Sequence, residues 1–162
     1  MKRQIKFRAK TLANGHWVYG NLIKRSDDYV SIRNSKSEPW VDPETVGQFT
    51  GLTDCNGKEI YEGDIISGCF KYDACDANGG VIPDQDCLCK GVVRFSELRL
   101  QWVLDIFWSE YPVRRWIEEN GDSEIPLVHF EYELPQFNMD LLEVIGNIHD
   151  NPDLIPNQPT EV

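Results

Sequence analysis

A chain of 162 residues with 41% hydrophobic residues and five Trp has enough apolar mass for one good core, or two small ones sharing a wall, which excludes a disordered chain. Its formal charge of −11 argues against a general grip on nucleic-acid phosphates or an anionic membrane, since such grips need basic stripes. No apolar run is long enough to cross a bilayer, and the basic start MKRQIKFRAK has no signal-peptide segment behind it, so a cytoplasmic protein is expected.

Short alternating segments dominate the chain. Ile5, Phe7 and Ala9 share one face of a predicted first strand, with Lys6 and Arg8 on the other. Asn14-Gly15 is a hairpin signal, and residues 17–23 form the return strand. "YVSIR", residues 29–33, follows a polar break. Asp42 is a good N-cap and Pro43 suits a first helical position, which predicts a single helical turn. Residues 46–52 read as a strand. Asp54-Cys55-Asn56-Gly57 then suits a type I turn whose Gly57 takes the left-handed conformation and forms a bulge. Residues 58–61 return, and Gly63 breaks the strand before Ile65 and Ile66 resume.

The segment 68–90 is rich in Gly, Asp and Cys and lacks a sustained period, so it reads as a loop excursion between two strands. "GVVRFS" restarts the sheet at residue 91. "LQWVLDIFW" places Leu100, Trp102, Leu104, Ile106 and Trp108 on one strand face. It also fits a helix through Leu100, Val103, Leu104 and Phe107, and its β-branched and aromatic content decides for strand. "YPVRRWIEENG" reads as a helix, with Pro112 near its start and Gly121 past its end. "LVHFEYEL" alternates again. "LLEVIGNIHDNPDLI" gives a strand and then a turn at Asn151-Pro152. The sum is a mainly β protein of small, compact, barrel-like or SH3-like architecture, with hairpins and one short helix. Residues 1–155 are expected to form one domain, with room for two small β subdomains (1–67 and 91–155) sharing a core around the Cys-rich loop. Residues 156–162 are expected to be a flexible tail.

The charge is unevenly placed. Residues 1–60 carry ten Lys/Arg and seven Asp/Glu, a net of +3, whereas residues 61–162 carry six and twenty, a net of −14. The simplest reading is that the basic first strand lies beside the acidic half; an acidic face for a basic partner is the alternative. His16, His129 and His149 stand in no catalytic or metal motif, and there is no phosphate-binding loop or nucleophile elbow. Asp54, Glu59, Glu62 and Asp64 cluster along the hairpin. Such carboxylates could hold a divalent metal or divide acid and base work, but turn chemistry and solvation are the favoured account of them. Cys69, Cys75, Cys87 and Cys89 follow a C-x5-C-x11-C-x-C spacing, which lacks the C-x2-C pairs of zinc ribbons. Free thiols are favoured over a zinc site, and the odd total of five Cys fits reduced thiols, Cys55 standing apart in the turn. No catalytic, cofactor or metal residue is assigned.

The blocks "IKFRAK" at Ile5, "WVYGNLI" at Trp17, "VDPETVGQFTGLTDCNGKEIYEGDII" at Val41 and "EVIGNIHDNPDLI" at Glu143 resemble the YopX family of bacteriophage and prophage proteins. They span almost the whole chain in order, while residues 68–90 and much of 108–140 depart from the pattern. The resemblance implies a phage-borne, cytoplasmic, mostly β protein. It supplies no catalytic residues and no metal. The function expected is a non-enzymatic module that binds a host or phage protein, with self-association left open and neither membrane nor nucleic acid as partner. The alternative is a metal-dependent or nucleotide-handling enzyme that uses the carboxylates of residues 54–64.

Overall fold

The computed structural model describes residues 4–26, 29–75, 80–110, 130–133, 137 and 139–156. Two antiparallel sheets follow one another along the chain. The first contains β1 (Phe7–Lys10), β2 (Trp17–Lys24), β3 (Val30–Arg33), β4 (Trp40–Val41), β5 (Gly47–Thr53) and β6 (Glu59–Tyr61), in the order β4-β3-β2-β1-β5-β6. The second contains β7 (Asp64–Cys75), β8 (Val81–Ser96), β9 (Gln101–Ser109), β10 (Phe130–Glu133) and β11 (Glu143–Asn147), in the order β10-β9-β8-β7-β11. Single 3-10 turns lie at Pro43–Thr45, Met139–Leu141 and Pro152–Leu154. The mainly β expectation holds.

The first sheet curls because its short strands follow one another through tight turns. One antiparallel bridge joins Thr11 to Val41, and the Asp42 N–H donates to the Lys10 carbonyl at 2.9 Å. The curl encloses a small core of Ala9, Val30, Ile32 and Val41, with Phe7, Val18, Leu22 and Val46 packed against it. Phe7 and Ala9 thus share the inner face, as their alternation predicts. Among the described residues neither sheet closes into a barrel. The larger core lies on the second sheet and includes Ile66, Phe70, Cys87, Cys89, Val93, Leu104, Phe137 and Val144. Ile60 joins it from β6, so the core runs across the junction.

The segment 68–90 is not a loop excursion. It is most of a long hairpin, with β7 paired to β8 from Ile65↔Val92 out to Cys75↔Val81. Burial alternates along β8: Cys87 and Cys89 are buried, Leu88 and Lys90 exposed. The pattern is a strand pattern once cysteine is counted as a small hydrophobe. The β9 segment is a strand, but both Val103 and Leu104 are fully buried, so apolar contacts cover both faces of its centre. Toward its ends the face meets solvent, and Trp108 is half exposed. The helix expected at residues 111–121 lies outside the described residues, as does all of the tail expected at 156–162 except Pro156. Of "LVHFEYEL", residues 130–133 form β10.

Candidate functional site

The hairpin from Asp54 to Asp64 sits where the two sheets meet, and its carboxylates are tied into that junction. Asp54 is buried. Its Oδ1 accepts the N–H groups of Asn56 (2.9 Å) and Lys58 (2.8 Å), and its Oδ2 accepts the Val144 N–H at 3.1 Å. Burial works to raise this carboxyl, but the three backbone donors outweigh it and hold the group below the usual carboxylate range. The neighbouring Cys55 N–H donates to the Leu142 carbonyl at 2.9 Å, a second tie to the end of the chain.

Asp64 is deeper, with 1% of its side chain exposed. Its Oδ2 accepts the Tyr61 N–H at 2.7 Å and its Oδ1 lies 2.7 Å from Arg8 Nη1. Burial pushes this carboxyl up, against the pull of the Arg8 guanidinium. Glu59 Oε2 accepts from Lys6 Nζ (2.5 Å) and from the Tyr61 hydroxyl (2.7 Å); the lysine is the main cause of its lowered pKa. Burial, and then Glu59, push the Tyr61 phenol up. Glu62 contributes its carbonyl, which accepts Arg8 Nη2 at 3.2 Å. The carboxylates of Asp54, Glu59 and Asp64 therefore face different partners. Among the described residues no group of three or more His, Cys, Asp or Glu is gathered for a metal ion.

The basic first strand meets the acidic half at Asp64 and Asp150, as the simplest reading of the charge has it, while its third partner, Glu59, belongs to the net-positive half. Lys6 pairs with Glu59, Arg8 with Asp64 and Lys10 with Asp150, the last at 2.5 Å. The Arg8 guanidinium carbon lies 4.7 Å from the Trp17 ring centroid and 4.9 Å from that of Tyr61, between the two aromatics. Asp150 also accepts from Asn147 Nδ2 and Trp17 Nε1, and with Lys10 these donors hold its carboxyl well below the usual range. His149 lies 5.9 Å from Trp17; burial, then the charges of Lys10 and Arg8, lower its pKa. His16 is exposed, and His129 lies outside the described residues. All four blocks that carry the resemblance thus meet at one junction: β1, β2, the hairpin and the segment from Val144 to Asp150.

The thiols do not form a four-cysteine site. Cys75 stands six residues beyond Cys69 on β7, roughly 20 Å away at the usual rise of a strand. Cys69 faces Leu88 across the ladder, so it points to the opposite side from Cys87 and Cys89. Among the described residues Cys55, Cys69, Cys87 and Cys89 are free thiols. Burial raises Cys69 and pushes Cys89 up to about 12, so the latter stays a neutral thiol at physiological pH.

A different feature is open to a partner. Leu12, Ala13, Tyr29, Val30, Pro39, Trp40 and Val41 line a groove of about 590 Å³ on the first sheet. Val30 and Val41 are its buried floor, while Leu12, Tyr29 and Trp40 are 65%, 62% and 46% exposed. The Tyr29 and Trp40 rings meet edge to face at 6.1 Å and 79°. Arg25 lies 5.6 Å over Trp40 and is held by Glu38 at 3.1 Å. Sequence reasoning passed over these residues. Their signal is faint: a Trp directly after Pro39, and a Tyr at the mouth of a strand.

Fold and site together define a mainly β scaffold whose signature polar residues hold two sheets against each other. The YopX protein family model matches residues 6–156, and the chain belongs to that family. No curated protein matches it.

Proposed function

We propose that this chain is a non-enzymatic protein-interaction module of phage or prophage origin, acting on a host or phage protein in the bacterial cytoplasm. The observation that carries the reading is the groove of Leu12, Tyr29, Pro39 and Trp40: exposed aromatics over an apolar floor, the composition of a protein-binding hot spot. The engagement of Asp54, Glu59 and Asp64 by backbone N–H groups and cations supports it from the other side, since a general base or a metal site needs free carboxylate lone pairs. The phage origin and the cytoplasm rest on the resemblance.

Affinity capture from a bacterial lysate tests the reading when wild type and Trp40→Ala are run side by side. The expected result is one stoichiometric protein that rebinds in purified form to wild type and at least tenfold more weakly to Trp40→Ala. A partner that ignores the substitution would place the contact elsewhere. Turnover in a nucleotide screen with added divalent metal, lost in Asp64→Asn, would replace the reading with the enzymatic alternative.

A further inference from the structure

We infer that Asn56 is a site of spontaneous deamidation, a covalent change that loosens the junction between the two sheets, and that the fold protects the equivalent Asn14. An Asn-Gly pair is where this chemistry meets least hindrance, because glycine has no Cβ to crowd the approach of its own nitrogen. The Gly57 nitrogen attacks Cγ of Asn56. A C–N bond forms, the Cγ–Nδ2 bond breaks, and the side-chain amide leaves as ammonia with the Gly57 proton. Water then opens the cyclic imide at one of its two carbonyls, giving aspartate or isoaspartate. Only water is consumed and nothing is oxidised.

Asn14-Gly15 and Asn56-Gly57 lie within the described residues, whereas the Asn-Gly steps at 78 and 120 do not. Both asparagines are exposed. Both glycines have positive φ, +70° and +79°, and a Cβ at either would meet nothing within 4 Å, so water has equal access. The Gly15 N–H donates to the Thr11 carbonyl and the Gly57 N–H to the Asp54 carbonyl, each at 2.9 Å. The side chains are what differ. Asn14 Oδ1 accepts from Thr11 Oγ1 at 2.5 Å and from the His16 N–H at 3.1 Å, an Asx turn that aims the amide at His16 instead of the Gly15 nitrogen. The Asn56 side chain has no hydrogen-bond partner among the described residues; its backbone N–H alone is engaged, by Asp54 Oδ1. Three bonds must open at Asn14 before nitrogen meets Cγ, and one at Asn56.

The consequence runs through Asp54. Its Oδ1 accepts the Asn56 and Lys58 N–H groups together, which needs the present length of backbone between them. Isoaspartate routes the chain through its own Cβ and lengthens that stretch by a carbon. It also sets a new carboxylate beside a buried one. Asp54 Oδ2 holds the Val144 N–H, and the Cys55 N–H donates to the Leu142 carbonyl, so distortion of the turn reaches the last strand.

The full chain is incubated at pH 7.5 and 37 °C, in buffer and in concentrated urea, and peptide mapping by mass spectrometry follows each Asn-Gly step over time. In buffer, Asn56 should react at least tenfold faster than Asn14; in urea, where neither turn survives, the two should react at similar rates. Thr11→Val, which keeps the shape and removes the hydroxyl, should speed position 14 and leave position 56 unchanged. Thermal unfolding establishes that this variant is folded; if it is not, the comparison of buffer with urea decides alone. In the isolated isoaspartate form the Val144 amide should exchange with deuterium at least tenfold faster than in fresh protein. Asn56→Asp, which has the charge without the added carbon, should change that exchange less. An Asn56 that stays intact in buffer while the urea sample reacts, or an Asn14 that keeps pace with it, would overturn the site. A folded Thr11→Val with position 14 as slow as wild type would overturn the protection. Unchanged Val144 exchange in the isoaspartate form would overturn the effect on the junction.

Discussion

Gly57 shows how one residue serves the junction. Its N–H donates to the Asp54 carbonyl at 2.9 Å and its φ is +79°, so the turn has the conformation read from its four residues. A Cβ at this position would meet no atom within 4 Å, which makes backbone strain, not collision, the cost of substitution. Gly57→Val should therefore lower stability by about 1 kcal/mol or more, read from the denaturation midpoint; an unchanged midpoint would refute the strain. Leu100 is the converse case. It holds φ +54° at the β8–β9 turn with 78% of its surface exposed, a position that glycine occupies without strain. Leu100→Gly should stabilise by about 0.5 kcal/mol, the relief of strain exceeding the added freedom of the unfolded chain. His149 sets a pH response. Its folded pKa lies below the unfolded value, so the native state resists protonation and stability falls as pH drops through the unfolded pKa, about 6.5. The raised Asp64 works in the opposite sense, gaining from acid. A comparison isolates the histidine: the drop in melting temperature between pH 7.5 and 5.5 should be smaller in His149→Gln than in wild type. Parallel curves would show that another group governs this window.

At the scale of elements, the β7–β8 hairpin divides into a root and an arm. The root, Asp64 to Phe70 with Cys87 to Ser96, pairs with β9 and β11 and places Phe70, Cys87 and Cys89 in the main core. The arm beyond Lys71↔Asp86 pairs only with itself among the described residues, and residues 80–86 are exposed. Replacing residues 68–90 with a Gly-Ser link should abolish cooperative unfolding, because each large buried side chain removed costs on the order of 1.5–3 kcal/mol against a total stability of roughly 5–15. A cut that joins Tyr72 to Gln85 through an Asn-Gly turn should keep a single sharp transition. If the long deletion unfolds as cooperatively as wild type, the root is not part of the core. The expectation of a loop here went wrong for a compositional reason. Gly, Asp and Cys signal turns and metal sites in sequence, but this strand uses thiols as small core residues. Local chemistry was legible elsewhere: the Asp42 cap accepts the Glu44 N–H at 3.0 Å, and the alternation of β1 shows its inner face. Contacts that depend on the whole chain were not. Asp54 and Val144 lie 90 residues apart, and nothing near either residue announces the bond between them. The groove was hidden for the same reason, since only the curl sets Leu12 beside Trp40.

At the scale of the molecule, charge decides what the protein avoids. Lys6, Arg8 and Lys10 share one side of the first strand and could line up three cations for a phosphate backbone. Duplex binding needs several such contacts, and non-specific binders reach roughly 10⁻⁴–10⁻⁶ M by releasing the counterions that Lys and Arg replace. Here each cation already faces a carboxylate: Glu59 at 2.5 Å, Asp64 at 2.7 Å and Asp150 at 2.5 Å. Arg8 is also buried, with 6% of its side chain exposed between Trp17 and Tyr61, so a phosphate has no approach to it. To use Lys6 or Lys10, DNA would have to displace a carboxylate that also anchors the junction, while facing the −14 of residues 61–162. That repulsion is screened beyond about 8 Å at physiological salt, but the paired carboxylates lie inside this distance and act unscreened. Anisotropy of a labelled 20-base-pair duplex at 50 and 150 mM salt should therefore show no saturable binding up to about 10⁻⁴ M protein. Relief of pairing gives the positive control: the double variant Glu59→Gln, Asp150→Asn frees Lys6 and Lys10 and should bind detectably at 50 mM salt, with an affinity that falls steeply at 150 mM. Micromolar binding by the wild type with the same salt dependence would mean that cations outside this row carry a nucleic-acid surface, and would overturn the protein-partner reading.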